Sequence, residues 1–313
     1  MNLLVVMAAS LLPVREAIAW GDMGHRIIGV IAYSRLSPEA REKVDAILAA
    51  DRDQLTGADF VDRTTWADKY RDSDRSSDRV RYLATRQWHF VDIDIDGETP
   101  DIDLPCRGFP PLQAGKPASK GPADDCVVSK IEQFSKELSG LSSRTEKLLA
   151  LKFLLHFVGD VHQPLHAAEH DHDRGGNDVL ILFGRHRVTQ DKLNLHSYWD
   201  TELVKSLGTS EQEVGSTLAV GITGSNAAAW KQGTPRDWAI ESHKIAKATT
   251  YNLGRLQHRS MPIKRKDEDG NSVTTTADVI FLDGEYTKDA TAVVKEQLQK
   301  AGVRLADILE RSL

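Results

Sequence analysis

Residues 156–166 read His-Phe-Val-Gly-Asp-Val-His-Gln-Pro-Leu-His and end a long apolar segment that begins near residue 144. Apolar residues recur at helical spacing through this segment, so residues 144–163 are predicted to form a helix. His156 and Asp160 are four residues apart, which places both side chains on one face of the helix, one turn from each other. Two ligands of one metal ion need this geometry, and zinc readily accepts imidazole nitrogen together with carboxylate oxygen.

The same type of pair occurs further along the chain. His166 follows Pro164, and a proline there allows the chain to bend after the helix and to return His166 toward the same site. His196 and Asp200 are again four residues apart, within a predicted helix over residues 196–207. One histidine alone is usually a surface or satisfied core residue, but burying this many ionisable groups is costly without partners. The pattern therefore predicts a site for more than one metal ion.

Three further candidates are ambiguous when each is considered alone. His89 lies between aromatic residues in Gln-Trp-His-Phe-Val-Asp, so a buried core histidine and a metal ligand are equally good interpretations. Asp68, in Trp-Ala-Asp-Lys-Tyr-Arg, has the pattern of a solvated helical residue. His25 comes five residues after Trp20, and its role depends on what happens to the N-terminus.

The N-terminal residues have the pattern of an export signal. Residues 2–12 are apolar, Pro13 ends that stretch, and Ala17-Ile18-Ala19 forms a cleavage motif immediately before Trp20. We expect residues 1–19 to be a signal peptide, the alternative being an N-terminal core or anchor helix. Cleavage would give Trp20 a free α-amino group, which can lose its proton to a metal ion and chelate it together with the carbonyl oxygen of the same residue.

The composition is that of an ordinary soluble domain. The 313 residues are 40% hydrophobic and 27% charged, with a net charge of −6. No apolar run approaches the roughly 20 residues that span a bilayer, so we expect no stable membrane association. An acidic molecule is not drawn as a whole to phosphate backbones, so any nucleic-acid site must supply its positive charge locally. We expect a monomer.

The remaining pattern predicts one mainly helical domain, residues 20–313, with a small β-hairpin. Helices are expected over residues 23–36, 38–50, 59–71, 126–139, 144–163, 196–207, 236–253 and 286–311, with Gly302 as a break in the last. The hairpin is expected at residues 179–189, and loops at 97–124 and 259–284. Cys106 and Cys126, the only two cysteines, flank a Pro/Gly-rich loop and are either bridged or free thiols.

These motifs, taken in order, resemble the S1/P1 type of single-strand-specific zinc nucleases, a family that shares its fold with bacterial zinc phospholipases C. The resemblance covers most of the mature chain. It rests on Trp-Gly-x-x-Gly-His at 20–25, Trp-Ala-Asp at 66–68, Trp-His-Phe-Val-Asp at 88–92, the 156–166 stretch, Gly-Gly-Asn at 175–177, Leu-His-x-x-Trp-Asp at 195–200 and Ala-Gly-Val-Arg-Leu-Ala at 301–306.

The resemblance implies three zinc ions per chain. The first would be held by Asp68, His89, His156 and Asp160, the second by His166, His196 and Asp200, and the third by Trp20, His25 and Asp160. It further implies that metal-bound hydroxide attacks phosphorus in line with the leaving 3′ oxygen, which gives 5′-phosphorylated products from single-stranded DNA and RNA. Removal of 3′-phosphates from nucleotides is implied as a second activity.

The resemblance also implies the substrate contacts. Arg71 would face the phosphate, Phe90 would stack on a base, and Asp92 would be the acidic partner of that base. The segment 167–177, with Asn177, would help to line the pocket.

Some features depart from the fungal relatives. Only one cysteine pair is present, with its own spacing, and there is no Asn-x-Ser/Thr sequon, which together favour a secreted or periplasmic bacterial member. Two other functions stay open at this stage. One is a zinc phospholipase C or broad phosphodiesterase, against which the Phe90 and Asp92 pair argues. The other is an exported zinc-binding protein without activity, whose metal sites would be closed.

Overall fold

The computed structural model describes residues 20–184, 194–266 and 271–313, and most of these residues are helical. The predicted signal peptide lies outside the described residues. The helices are α1 (Gly21–Arg35), α2 (Pro38–Leu48), α3 (Phe60–Arg63), α4 (Trp66–Asp72), α5 (Val80–Thr85), α6 (Val127–Ser139), α7 (Arg144–Asp160), α8 (Leu195–Ser197), α9 (Leu203–Lys205), α10 (Glu211–Val220), α11 (Gly224–Trp230), α12 (Pro235–Ile245) and α13 (Gly284–Ser312). π-helical turns at Tyr198–Glu202 and Ala246–Thr250 join α8 to α9 and extend α12. Short 3-10 helices occupy Arg86–His89, Ala118–Lys120 and Pro164–His166.

Helix α7 is the central element of the core. Ser143 caps its N-terminus, and every residue from Ala150 to Asp160 is buried. A helical segment that is buried on all sides must be surrounded, and α6, α13, α4 and α1 all pack against α7. This burial places the last turn, with His156 and Asp160, inside the molecule rather than at its surface.

The main differences from the expected helices have local causes. The segment 59–71 forms two helices instead of one, because the chain turns at Thr64 and Thr65 and directs the Thr64 carbonyl toward His156. The last helix continues through Gly302, which is needed for close packing: a Cβ there would lie 2.4 Å from Ile31 Cγ2. Helices α5, α10 and α11 were not expected from the sequence.

The predicted mainly helical fold with a small hairpin is confirmed, but the hairpin is formed by different residues. Strands β2 (Gln257–Lys266) and β3 (Ser272–Leu282) pair antiparallel within the segment that was predicted to be a loop. The prediction was wrong because β2 is polar and lacks apolar alternation, so its strand state depends on backbone pairing with the β-branched β3. Strand β1 (Ile181–Phe183) pairs parallel to β3, and the second half of the hairpin predicted at 179–189 lies outside the described residues.

Cys106 and Cys126 form a disulfide bond. The bridged loop and the residue after it support the segment that carries His89. The Val127 N–H group donates to the Phe90 carbonyl at 3.2 Å, and the Trp88 indole N–H donates to the Pro122 carbonyl at 2.8 Å. Among the described residues, no helix is both long enough and apolar enough to span a bilayer.

Candidate metal centre and nucleotide pocket

The first group of ligand atoms combines three elements around the end of α7. Asp68 from α4, His89 from the 3-10 helix and His156 from α7 bring their ligand atoms within 4.8 Å of one another. His89 Nδ1 and His156 Nε2 each lie 3.5 Å from the same oxygen of Asp68. The same two nitrogens lie 3.0 and 3.4 Å from one oxygen of Asp160, so both carboxylates face the imidazole pair.

A second group lies on the other side of Asp160. His25 Nε2 is 3.3 Å from the remaining Asp160 oxygen, Oδ1, so the two oxygens of this carboxylate face different groups. The His25 ring stacks on His156 with 3.8 Å between ring centroids. Trp20 is buried beside them, with its indole N–H donating to the Gly159 carbonyl at 2.9 Å. Asp160 is therefore placed to bridge two cations.

The third group is formed by the segments that follow α7. His166, His196 and Asp200 place their ligand atoms within 4.8 Å of one another. His196 Nε2 is 3.1 Å from both His166 Nε2 and Asp200 Oδ2. Gln163 donates to the other Asp200 oxygen at 2.5 Å and so fixes the orientation of that carboxylate.

Backbone carbonyls orient three of the histidines. Nδ1 of His156 lies 2.7 Å from the Thr64 carbonyl, Nδ1 of His166 lies 2.8 Å from that of His89, and Nδ1 of His196 lies 2.6 Å from that of Gly175. A carbonyl oxygen only accepts, so Nδ1 carries the proton and Nε2 presents its lone pair to the centre. Ligand histidines in metalloproteins are commonly oriented in this way.

Burial and mutual proximity shift the pKa values of the carboxylates in opposite directions. Burial raises the pKa of Asp160 well above its usual range, although His156 opposes the shift. Burial also acts to raise the pKa of Asp68, but Arg71 and His156 outweigh it and hold the pKa well below its usual range. A cation beside Asp160 would favour its ionised form, which is the state that binds metal.

The pKa values of three histidines of the site are also shifted by burial and by neighbouring charges. Burial, together with Arg71, lowers the pKa of His89 well below its usual range. Burial and the neighbouring His196 lower the pKa of His166 to about 3. Burial opposes protonation of His196, but Asp200 raises its pKa. Neutral imidazole is the metal-binding form, and the lowered pKa values keep His89 and His166 in that form.

The buried polar atoms in these groups fit bound cations. Asp160 Oδ1, His156 Nε2 and Asp200 Oδ2 make no hydrogen bond to any residue in the described part of the chain, although all are buried. Buried polar atoms without partners are costly and rare in native proteins. Imidazole nitrogens and carboxylate oxygens of this kind are the donors that zinc prefers.

A cavity of about 220 Å³ opens beside the first and third groups. Its walls include the sequence-predicted Arg71, Phe90, Asp92 and Asn177. Phe90 and Asp92 are half-buried, as expected of side chains that form a pocket wall. Asn177 lies at the wall, but its side chain already bonds to Arg174 and Asn194 within the protein.

Arg71 connects the cavity to the metal groups. Its guanidinium lies 2.7 Å from Asp68 and makes two hydrogen bonds to Asp72, at 2.9 and 2.8 Å. Burial opposes its charge, but Asp68 and Asp72 raise its pKa, so Arg71 remains a cation. The pairing fixes the guanidinium at the edge of the centre.

Several residues of the site were not singled out by the sequence. One of them is Gln87, which makes a hydrogen bond to Asp92. Burial and the neighbouring Glu169 raise the pKa of Asp92 to about 7, and the Gln87 hydrogen bond opposes this shift. Gly159 is required beside His25, because a Cβ there would lie 2.8 Å from His25 Nδ1. Gln87 precedes His89 by two residues and Gly159 precedes Asp160, so adjacency to predicted ligands was the available signal.

The comparisons with known proteins match this chain to nucleases. The family model "S1/P1 Nuclease" matches residues 20–313. Nuclease S1 of Aspergillus oryzae is 26% identical, over 99% of this chain and 97% of that protein. Endonuclease 2 of Arabidopsis thaliana is 26% identical, over 93% of this chain and 90% of its own length. Nuclease P1 of Penicillium citrinum is 29% identical, over 60% of this chain and 59% of its own length.

The sequence resemblance is thus confirmed over nearly all of the described chain, and the helical fold agrees with it. The His/Asp groups that could hold metal ions lie within the matched residues, beside a cavity whose wall includes three arginines. The chain belongs to the S1/P1 nuclease family and is an enzyme that hydrolyses phosphodiester bonds.

Proposed function

We propose that this protein is a zinc-dependent nuclease that cleaves single-stranded DNA and RNA to 5′-phosphorylated products and also removes 3′-phosphates from nucleotides. The observation that carries the proposal is the position of Asp160. Its two oxygens face separate histidine groups, and a third His/Asp group and a cavity of about 220 Å³ lie nearby.

The residues divide into three ligand sets. The first is Asp68, His89, His156 and Asp160, the second is His166, His196 and Asp200, and the third is Trp20, His25 and Asp160. Zinc bound to these sets would supply Lewis acidity and an activated water near neutral pH. Asp160 would hold two of the ions in a fixed relation through its separate oxygens.

The protein groups at the cavity complete the proposed chemistry. Arg71, held by Asp68 and Asp72, would balance the charge that develops on the non-bridging phosphate oxygens. Its fixed orientation requires little reorganisation during the reaction. Gln163 would hold the Asp200 carboxylate toward His166 and His196 of the second set.

The cavity wall favours unpaired nucleotides. A base that stacks on Phe90 must first leave a duplex stack, which costs free energy in double-stranded but not in single-stranded substrates. Asp92 lies at the same wall and would accept hydrogen bonds from the base edge when ionised. This wall supports a nucleic-acid substrate over a phospholipid.

The role of Trp20 requires export. Cleavage before Trp20 would free its α-amino group next to His25, where the buried indole already anchors the residue through Gly159. We therefore propose a signal peptide over residues 1–19 and a secreted or periplasmic enzyme of residues 20–313. Edman sequencing of the exported protein would begin at Trp20.

The test uses purified protein of residues 20–313. Zinc per chain is measured by elemental analysis, and hydrolysis of single-stranded and duplex DNA is followed in the same preparation with and without chelator. We expect close to three zinc ions and chelator-sensitive cleavage of the single strand. Asp160→Asn should abolish cleavage and lower the zinc content, because it removes a carboxylate shared by two sets.

The control is Asp289→Asn, which removes an exposed carboxylate from α13. It should retain full zinc content and activity. Unchanged turnover in Asp160→Asn would reject the bridging role. Full zinc content without cleavage of any nucleic acid would reject the nuclease and favour another phosphodiester substrate, such as a phospholipid.

A further inference from the structure

Three guanidinium groups line the cavity, and their partners differ: Arg71, Arg86 and Arg174. Arg71 is held by carboxylates, including Asp72. Arg174 makes two hydrogen bonds to Asp178, at 2.9 and 2.6 Å. Arg71 and Arg174 are therefore both held in ion pairs within the protein.

Arg86 is different. Its side chain is exposed and makes no hydrogen bond or ion pair with any residue between 20 and 184, 194 and 266, or 271 and 313. An unpaired guanidinium keeps five donors and a full positive charge for an external partner. In a molecule with a net charge of −6, this is the local positive charge that phosphate binding requires.

The position of Arg86 relative to the metal centre follows from its helix. Arg86 and His89 are the ends of the four-residue 3-10 helix Arg86–His89. Side chains three residues apart in a 3-10 helix eclipse each other, so both project from the same face, about 6 Å apart along the axis. His89 is buried in the candidate metal centre, whereas Arg86 lines the same cavity and is exposed to solvent. The buried Trp88 between them anchors the helix.

We propose that Arg86 binds a backbone phosphate of the nucleotide next to the one that occupies the cavity. The inference rests on the proposed nuclease function and goes further, because it assigns a second phosphate contact outside the metal centre. A polynucleotide offers that second phosphate, whereas a 3′-mononucleotide carries only the one to be removed. Arg86 is thus a specificity residue that favours strands over mononucleotides.

The experiment compares Arg86→Gln with the wild type on a short single-stranded oligodeoxynucleotide and on a 3′-mononucleotide, at several salt concentrations and with zinc saturating. We expect the oligonucleotide KM to rise about tenfold, since a charge-assisted contact is lost. The slope of log KM against log salt should fall by about 0.7, the value for one phosphate contact on a single strand. The mononucleotide KM should rise much less, and Arg86→Lys should recover most of the salt slope.

The matched control is Arg144→Gln, which removes the same charge from an exposed position at the start of α7, about 24 Å from Asp160 by the rise of the helix. It should change neither KM nor the salt slope. An equal rise in KM on both substrates, or no change on either, would overturn the assignment of Arg86. If the wild type hydrolyses neither substrate, the proposed function itself is wrong, and the role of Arg86 in it falls as well.

Discussion

At Gly159 the backbone of α7 touches the ring of a candidate ligand. A Cβ at this position would lie 2.8 Å from His25 Nδ1 and 3.0 Å from His25 Cε1, closer than such atoms normally approach. The same residue accepts the hydrogen bond from the Trp20 indole. A single glycine therefore determines how closely Trp20 and His25 approach Asp160.

We expect Gly159→Ala to displace His25 and to weaken the third metal set. Alanine favours the helix itself by up to about 1 kcal/mol, but overpacking costs about 1–3 kcal/mol, so the net effect is destabilising. Zinc content should fall from three ions toward two, and the melting temperature should fall with it. Gly224→Ala is the control, because no atom lies within 4 Å of its Cβ position. Full zinc content in Gly159→Ala would contradict this account of His25.

Phe90 allows substrate binding to be separated from metal binding. Its side chain lines the cavity, and its carbonyl is held by the Val127 N–H group, so truncation leaves the backbone in place. We expect Phe90→Ala to weaken single-strand binding by about 1–3 kcal/mol, the typical contribution of one stacked base. Zinc content should not change. Phe90→Tyr, which keeps the ring, should bind nearly as tightly, and loss of zinc in Phe90→Ala would show that Phe90 is structural.

Some residues of the candidate site could be predicted from the sequence, and others could not. His156 and Asp160 were predictable as a pair because helical spacing alone places them on one face. The identity of the atoms that orient them was not predictable, since the Thr64 carbonyl reaches His156 only through a chain turn between α3 and α4. Arg86 gave no signal in the sequence, because an exposed arginine is ordinary until its neighbours are known.

At the scale of elements, helix α6 couples the disulfide to the site through a buried lysine. Lys130 Nζ lies 3.8 Å from the centre of the Trp88 ring and donates to the Ala118 carbonyl at 3.0 Å. Burial lowers the pKa of Lys130 to about 8, although Asp125 opposes the shift. The segment that carries His89 is thus packed against an ionisable group.

This lysine should make stability depend on pH. The unfolded chain binds the Lys130 proton up to its ordinary pKa of 10.5, whereas the folded chain releases it above about 8. Between these values the unfolded state holds more protons, so this group makes stability rise with pH, by at most about 1.4 kcal/mol per unit. Urea unfolding of wild type and Lys130→Met between pH 7 and 10 should show this slope only in the wild type.

The exposed Lys136 on the same helix provides the control for this experiment. Lys136→Met should follow the wild type at every pH. Parallel stability curves for wild type and Lys130→Met would show that Lys130 does not change its protonation on folding in this range.

Elements with strong periodicity were predictable, and elements that depend on pairing were not. The apolar pattern of α7 and α13 identifies both helices, because each buries a face along its length. Strand β2 carries mostly polar side chains, and what makes it a strand is its backbone ladder with β3. That ladder joins neighbouring segments, from Lys266 with Ser272 to Gln257 with Phe281, and the hydropathy period of one segment does not reveal its pairing with another.

At the scale of the whole molecule, the candidate metal centre places ionisable side chains where a protein core normally holds apolar ones. Asp68, Asp160 and Asp200 are all buried. The candidate ligands come from several helices that are separated in sequence, from α1 to α8 and the π-helical turn that follows it. A hydrophobic core alone does not favour three carboxylates in its interior. Bound cations would offset their mutual repulsion, so the centre should contribute to folding as well as to chemistry.

Removal of the metal should therefore destabilise the whole domain. A ligand present at about 1,000 times its Kd stabilises the folded state by about 4 kcal/mol per site, and we expect chelation to lower the melting temperature by about 10 °C or more. Differential scanning calorimetry with and without chelator, followed by addition of zinc, measures the effect and its reversibility. Chelator should lower the melting temperature of Asp160→Asn by less than that of the wild type. In this variant two of the three ligand sets already bind metal weakly, and one buried charge is absent. An equal melting temperature with and without chelator would mean that the buried carboxylates are satisfied within the protein and that the centre is not a structural part of the fold.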